Sequence, residues 1–379
     1  MILPSFIMGG FECADHINRS GDRVDLLRDT GHHIQVAEDY TLLAALGIRT
    51  AREGIRWGVV ERAAFDYDFD EVRNRIRAGL AAGITQCWDI CHFGYPDDLS
   101  PTHPLFAARF AAVCQAFVQV FRQEAPHAPL VITPINEISF LAWHSGEMRG
   151  TVPFAVNSGW DIKYHLCKAA IAGIRAIRAM DSAARILLVD PLIHVHPRGP
   201  EFPGDEQEVA RLNEDQFQAL DIICGRICPE LGGREEYADI IGFNYYHTNQ
   251  WLHACHPLPW APGDDPRLIP IAELLERAYD RYGRPIILSE TGHFGEHRSQ
   301  WIHMIMEACG EAIARGVDLQ GVCIYPVLDR PDWDMHHNIP CGVWGYDETS
   351  KRVPHEESVT ALQTYAGQVA AFARQDSAV

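Results

Sequence analysis

Eight short β-rich runs alternate with longer helical stretches along the chain, and this alternation restricts the fold more than any other feature. The runs are Ser5 to Phe11, Ile48 to Ile55, Ile84 to Phe93, Leu130 to Ile138, Ile186 to Asp190, Ile240 to Tyr246, Pro285 to Glu290 and Leu319 to Pro326. Repeated strand-then-helix units predict parallel strands joined by crossover helices. Between the runs, Phe106, Phe110, Val113, Phe117 and Phe121 fall at helical spacing and form one apolar stripe. Phe69, Val72, Ile76 and Leu80 do the same, as do Ile302, Ile305, Cys309 and Ile313, and a last amphipathic stretch runs from Glu356 to Arg374. Eight such units without a linker fit a closed α/β (β/α)8 TIM barrel, which takes roughly 250 residues and grows by loop insertion. The expectation is a single barrel domain over residues 1–379. Its surplus length belongs in loops on the catalytic face, with Pro197 to Pro203 and Pro257 to Pro266 as the prime insertions.

Charge narrows the partners. The chain has 32 Lys plus Arg against 51 Asp plus Glu, a net of −19, which disfavours nucleic acid and anionic membranes and points to small neutral ligands. The apolar opening Met1 to Gly10 lacks a basic leader and reads as a first strand, and no stretch approaches the roughly 18 apolar residues of a membrane span. Eleven cysteines spread from Cys13 to Cys341 without short paired spacings suggest reduced thiols and a cytoplasmic location. The segment His253-Ala254-Cys255-His256 could ligate a metal, but no second ligand pair at finger-like spacing accompanies it.

In a (β/α)8 barrel the reactive groups stand at the carboxyl ends of the strands. The fourth run ends in Asn136-Glu137 and the seventh in Ser289-Glu290-Thr291-Gly292, so two glutamates follow apolar strand residues on opposite sides of the mouth. Paired carboxylates suit glycoside hydrolysis: one protonates the departing oxygen and the other attacks the anomeric carbon, with retention at a separation of about 5 to 5.5 Å. A pair of capping or salt-bridged glutamates would give the same spacing.

The surrounding segments, in order, resemble glycoside hydrolase family 1, the β-glucosidase and β-galactosidase family of retaining (β/α)8 hydrolases. Asn136-Glu137 is similar to the family's strand-four pair, and Ser289-Glu290-Thr291-Gly292 to its nucleophile motif, usually Thr-Glu-Asn-Gly. The resemblance implies Glu137 as acid/base, Glu290 as nucleophile and Asn136 as the group that binds the sugar 2-hydroxyl. It also implies Arg52 as the arginine beside the nucleophile, where a fixed positive charge favours the ionised carboxylate. His92, in Ile90-Cys91-His92-Phe93-Gly94-Tyr95-Pro96, falls on the glycone-binding histidine. Asn244 and Tyr246, in Phe243-Asn244-Tyr245-Tyr246, become supports of the nucleophile. In Tyr325-Pro326-Val327-Leu328-Asp329-Arg330-Pro331-Asp332-Trp333, Tyr325 replaces the aromatic platform, Asp332 the acid for outer hydroxyls, and Trp333 stacks on the sugar. Cys341 to Arg352 is like the segment that precedes the family's final helix.

Departures accompany these matches. Where the family has Tyr-Gln-Ile-Glu-Gly, this chain has Glu12-Cys13-Ala14-Asp15-His16-Ile17, which puts His16 in place of a sugar-gripping glutamine and leaves the glycone open. The implied activity is cleavage of a β-linked terminal sugar from a small glycoside or oligosaccharide by double displacement, with no metal and no cofactor. A transglycosidase with the same intermediate, or a non-catalytic sugar-binding protein on the same barrel, would share these residues. A metal-dependent hydrolase built on His32-His33 and His336-His337 is the third reading, set back because those pairs lie away from the strand ends. Assembly into a homo-oligomer is compatible with the sequence.

Overall fold

The computed structural model describes residues 2–261, 263, 265–335 and 337–375. Eight parallel strands close into a barrel: β1 (Ile7–Gly10), β2 (Thr50–Gly54), β3 (Thr85–Cys91), β4 (Val131–Ile135), β5 (Arg185–Pro191), β6 (Ile240–Asn244), β7 (Ile286–Thr291) and β8 (Leu319–Ile324). Each pairs with its sequence neighbour, and β8 closes on β1 with Ile7 opposite Val322. All eight expected runs are barrel strands. Their ends are shorter than the apolar runs, most plainly at β4, because Ile138 already opens a helix, Ile138–Gly146, and draws Glu137 out of the sheet.

Outside the barrel lie α1 (His32–Ala45), α2 (Asp70–Ala82), α3 (Phe106–Glu124), α4 (Gly159–Met180), α5 (Gln218–Ile223), α6 (Ile271–Tyr282), α7 (Arg298–Ala314) and α8 (Glu356–Gln375). The phenylalanine stripe of α3 is buried throughout. In α2 the pattern breaks at Leu80, which is 49% exposed. Its neighbour Gly79 turns inward instead, so close that a Cβ there would lie 2.7 Å from the Gln86 side chain. Met8, Cys87, Val131, Leu187, Val189, Ile240, Ile287 and Cys323 fill the barrel interior, while a larger layer of apolar side chains seals strands to helices.

Strand alternation sends neighbours to opposite faces. On β2 this separates two charges: Arg52 points along the barrel axis to the mouth, and Glu53 points outward under α1 and α2. Glu53 accepts from Arg75 at 2.6 Å and Tyr40 at 2.7 Å and meets His32 at 2.8 Å. His32 in turn lies 2.7 Å from Asp39, which binds Arg352. Burial opposes the Glu53 charge, but His32 and Arg75 outweigh it and hold the carboxyl at about 2. Its folded value lies below the ordinary 4.5, so its contribution to stability is complete above pH 4.5 and is lost as pH falls toward 2. Glu53→Ala, which leaves the buried Arg75 without a carboxylate while His32 keeps Asp39, is expected to cost about 3–5 kcal/mol at pH 7 in denaturant unfolding. A loss below about 1 kcal/mol would show the network to be dispensable.

The loops after β5 and β6 join above the mouth through a two-stranded pairing of His194–His196 with Gln250–Leu252. Both proline-rich stretches lie in these loops, and Pro262 and Asp264 of the second fall outside the described residues. Among the described residues no helix is long and apolar enough to cross a membrane. All eleven cysteines are free.

Candidate active site

A cavity of about 960 Å³ opens at the carboxyl ends of the strands, and both Glu137 and Glu290 line it. Glu290 is the last inward residue of β7. Arg52 Nη1 donates to its Oε1 at 2.6 Å and the Tyr246 hydroxyl to its Oε2 at 2.8 Å. Arg52 is fixed in turn: Nε and Nη2 donate to the two Asp89 oxygens at 3.1 and 2.7 Å, and Nη2 also reaches Asn136 Oδ1 at 2.7 Å. Glu290 therefore sits between a guanidinium that cannot swing away and a phenol, both stabilising an anion.

Glu137 has the opposite surroundings. Among the described residues its single side-chain donor is the Asn244 amide, at 3.0 Å from Oε1, and Asn244 is oriented by the Ser289 hydroxyl at 2.7 Å. Burial, and then the nearby Glu290 charge, push the Glu137 carboxyl up to about 8. Its backbone is left-handed, with φ 46°, a conformation costly for a residue with a side chain and typical of functional positions. Neighbouring elements hold it there: the Glu137 amide donates to Val189 on β5, and its carbonyl accepts from Leu141 in the following helix. Asp190 secures that helix by accepting from the Ser139 amide and hydroxyl at 2.9 and 2.6 Å. Glu137 is thus arranged to hold its proton at neutral pH while Glu290 faces two strong donors, the asymmetry that acid-assisted nucleophilic displacement requires.

The remaining expected residues fall into two groups. His92, Tyr325 and Trp333 line the cavity, and Asn136 is bound to Arg52 beside it, with its Nδ2 buried and without an acceptor among the described residues. Asn244 serves Glu137 and not Glu290, so its place differs from the nucleophile support expected of it. His92 Nδ1 lies 2.8 Å from Asp89, and Tyr325 stacks on His92 with ring centres 5.7 Å apart. Tyr325 reaches its place because β1 ends in Gly10: a Cβ there would fall 2.1 Å from the tyrosine ring.

His16 and Asp332 are not brought to the cavity. His16 is buried edge-on against Trp333 at 4.7 Å, and burial pushes its imidazole down to about 3. Asp332 accepts from the amides of Asp334 and Met335 at 2.9 and 2.8 Å, holding the turn beyond Trp333. An aspartate two bonds from the backbone is short enough to fold back onto its own loop. The structure also brings in Glu12, Asp89 and Arg330, which sequence reasoning passed over. Asp89 had a signal: a carboxylate inside the apolar run Cys87-Trp88-Asp89-Ile90 must be paired to be buried.

Metal ligands do not gather at His253 to His256, where His253 pairs with Asp205 and Cys255 with the adjacent His256. Among the described residues the one group close enough to hold a cation is Cys13, Asp89 and His92. Asp89 already spends both oxygens on Arg52 and His92, so its carboxylate is explained as the anchor of the arginine beside Glu290. His32 belongs to the Glu53 network, away from the mouth, and His336 lies outside the described residues.

No protein-family model matches the chain. Thermostable β-glucosidase B of Thermobispora bispora is 25% identical over 397 residues, covering 90% of this chain and 81% of the relative. The chain resembles glycoside hydrolase family 1. The fold agrees: the family 1 β-glucosidase of Thermotoga maritima superposes with a TM-score of 0.76 at 16% identity, covering 95% of this chain and 97% of that one. The AHE enzyme of Alicyclobacillus herbarius gives 0.77 at 17% identity, covering 97% and 98%. A family 1 β-glucosidase from Thermotoga maritima in complex with isofagomine lactam gives 0.71 at 18% identity, covering 89% and 87%.

Proposed function

We propose that the protein is a retaining β-glycosidase that removes a β-linked terminal sugar from a small glycoside. The observation that carries this reading is the contrast between the two mouth glutamates: Glu290 held between Arg52 and Tyr246, and Glu137 buried with one amide donor and pushed up to about 8. The names of the relatives as β-glucosidases support the class of reaction.

In the first step the Glu290 carboxylate attacks the anomeric carbon as the bond to the leaving oxygen breaks, and Glu137 gives that oxygen its proton. A glycosyl ester on Glu290 results. Ester formation removes the Glu290 charge, the largest charge effect keeping Glu137 protonated after burial itself, so Glu137 is freed to act as base. Water then attacks the anomeric carbon from the side the leaving group vacated, passes its proton to Glu137 and restores Glu290, with two inversions giving net retention. Asn136, whose buried Nδ2 has no acceptor among the described residues, supplies a donor to a sugar hydroxyl beside the reacting carbon.

The test is trapping. Incubation with an activated 2-deoxy-2-fluoro-β-glycoside, whose fluorine slows breakdown of the intermediate, should add one glycosyl unit to the peptide that contains Glu290. Modification of another residue, or none across gluco, galacto and manno reagents, would end the proposal.

A further inference from the structure

The two groups expected to grip the outer sugar hydroxyls, His16 and Asp332, both turn away from the cavity, yet its floor is not apolar. Glu12, which follows β1, and Arg330, which follows β8, meet there with Glu12 Oε2 3.3 Å from Arg330 Nε. Glu12 Oε1 is fully engaged: it accepts from the amides of Cys13 and Ala14 at 3.1 Å each and from the Tyr325 hydroxyl at 3.3 Å. These contacts fix the carboxylate and leave Oε2 facing the cavity. Arg330 spends Nη1 on the Pro331 carbonyl at 2.8 Å, and its buried Nε has no well-aligned hydrogen-bond acceptor despite the nearby charge. Among the described residues nothing accepts from Nη2. An acceptor and a donor, side by side, preorganised and incompletely paired, therefore face the chamber that holds Glu137 and Glu290.

We propose that Glu12 and Arg330 together form the glycone-reading pair of this chain, and that they select a neutral pyranoside presenting two adjacent hydroxyls. Resting on the glycosidase reading, this assigns the end of the cavity away from the leaving group. A vicinal diol offers one O–H to Glu12 Oε2 and one lone pair to Arg330, which completes both. Such a site rejects an analogue lacking the hydroxyl, because Glu12 Oε2 and the open Arg330 donors are then desolvated without a hydrogen-bond partner. The pair also disfavours acidic sugars: Arg330 is already balanced by Glu12, and a uronate or phosphate would lie against the Glu12 carboxylate. The grip has moved from the loop position of Asp332 to the start of the barrel, so one carboxylate takes the place of another from a different strand.

Equilibrium titration with uncleaved aryl β-thioglycosides tests this independently of turnover. The parent protein should bind a neutral hexoside at least tenfold more tightly than the matching glucuronide. Glu12→Gln should weaken the neutral ligand by roughly ten- to a hundredfold, the range for hydrogen bonds to a charged group, and weaken the analogue lacking the contacted hydroxyl only about twofold. Arg330→Gln, made beside it in case Glu12→Gln does not fold, should show the same pattern. Equal losses on all ligands, tighter binding of the glucuronide, or no thioglycoside binding by the parent would overturn the proposal. Binding as expected without label on Glu290 would instead sink the glycosidase reading and leave the pair standing.

Discussion

Glu290→Gly is expected to lower turnover of an aryl β-glycoside by at least about 10⁴-fold, because it deletes the group that forms the covalent bond. Folding should survive. Arg52 keeps both bonds to Asp89 and its bond to Asn136, so the deletion does not strand a buried cation. What it leaves is a gap bordered by Arg52 Nη1 and the Tyr246 hydroxyl, the two donors that had faced the carboxylate. A small anion such as azide fits that chemistry and can attack the anomeric carbon from the same side. Added azide should therefore restore turnover with an activated leaving group and yield the α-glycosyl azide, inverted relative to substrate. The β-azide, or turnover within tenfold of the parent, would remove Glu290 from the nucleophile role.

Much of this arrangement was legible because barrel geometry turns a one-dimensional signal into a place. An apolar run gives a strand, and the polar residue at its carboxyl end gives the mouth, so Glu137 and Glu290 could be placed without knowledge of the loops, whereas Arg52, His92, Asn136 and Tyr246 came from the resemblance of the segments around them. Where the chain leaves the strands, that logic fails. Asp332 lies seven residues beyond Tyr325 in a loop whose turn claims its carboxylate, and nothing in the sequence fixes which way a loop acid points. Glu12 was hidden for the converse reason: it follows β1 so closely that only the turn Glu12-Cys13-Ala14, which donates two amides to it, aims it inward. Leu80 failed by angle, since a four-residue step advances past the buried face of α2 and Gly79 packs in its stead.

Glu137→Gln should do two opposite things, both traceable to one buried proton. The carboxyl lies at about 8 in the folded chain against an ordinary 4.5, so between those values the folded state holds a proton that the unfolded state has released. Stability then falls as pH rises through that window, by on the order of 3 kcal/mol at pH 7. Glutamine keeps the oxygen that accepts from Asn244 and carries no proton to lose. The variant should melt several degrees higher than the parent at pH 7 and at nearly the same temperature at pH 4. Catalysis should move the other way. The parent should lose activity as pH rises through about 8, where the acid gives up its proton, and the variant should lack this alkaline limb. Alkyl glycosides, whose leaving oxygen needs protonation, should be cleaved about 10²–10⁴-fold more slowly, whereas formation of the glycosyl ester from a dinitrophenyl glycoside should be nearly unchanged. An alkaline limb that persists in the variant would assign the proton to another group and leave Glu137 a structural residue.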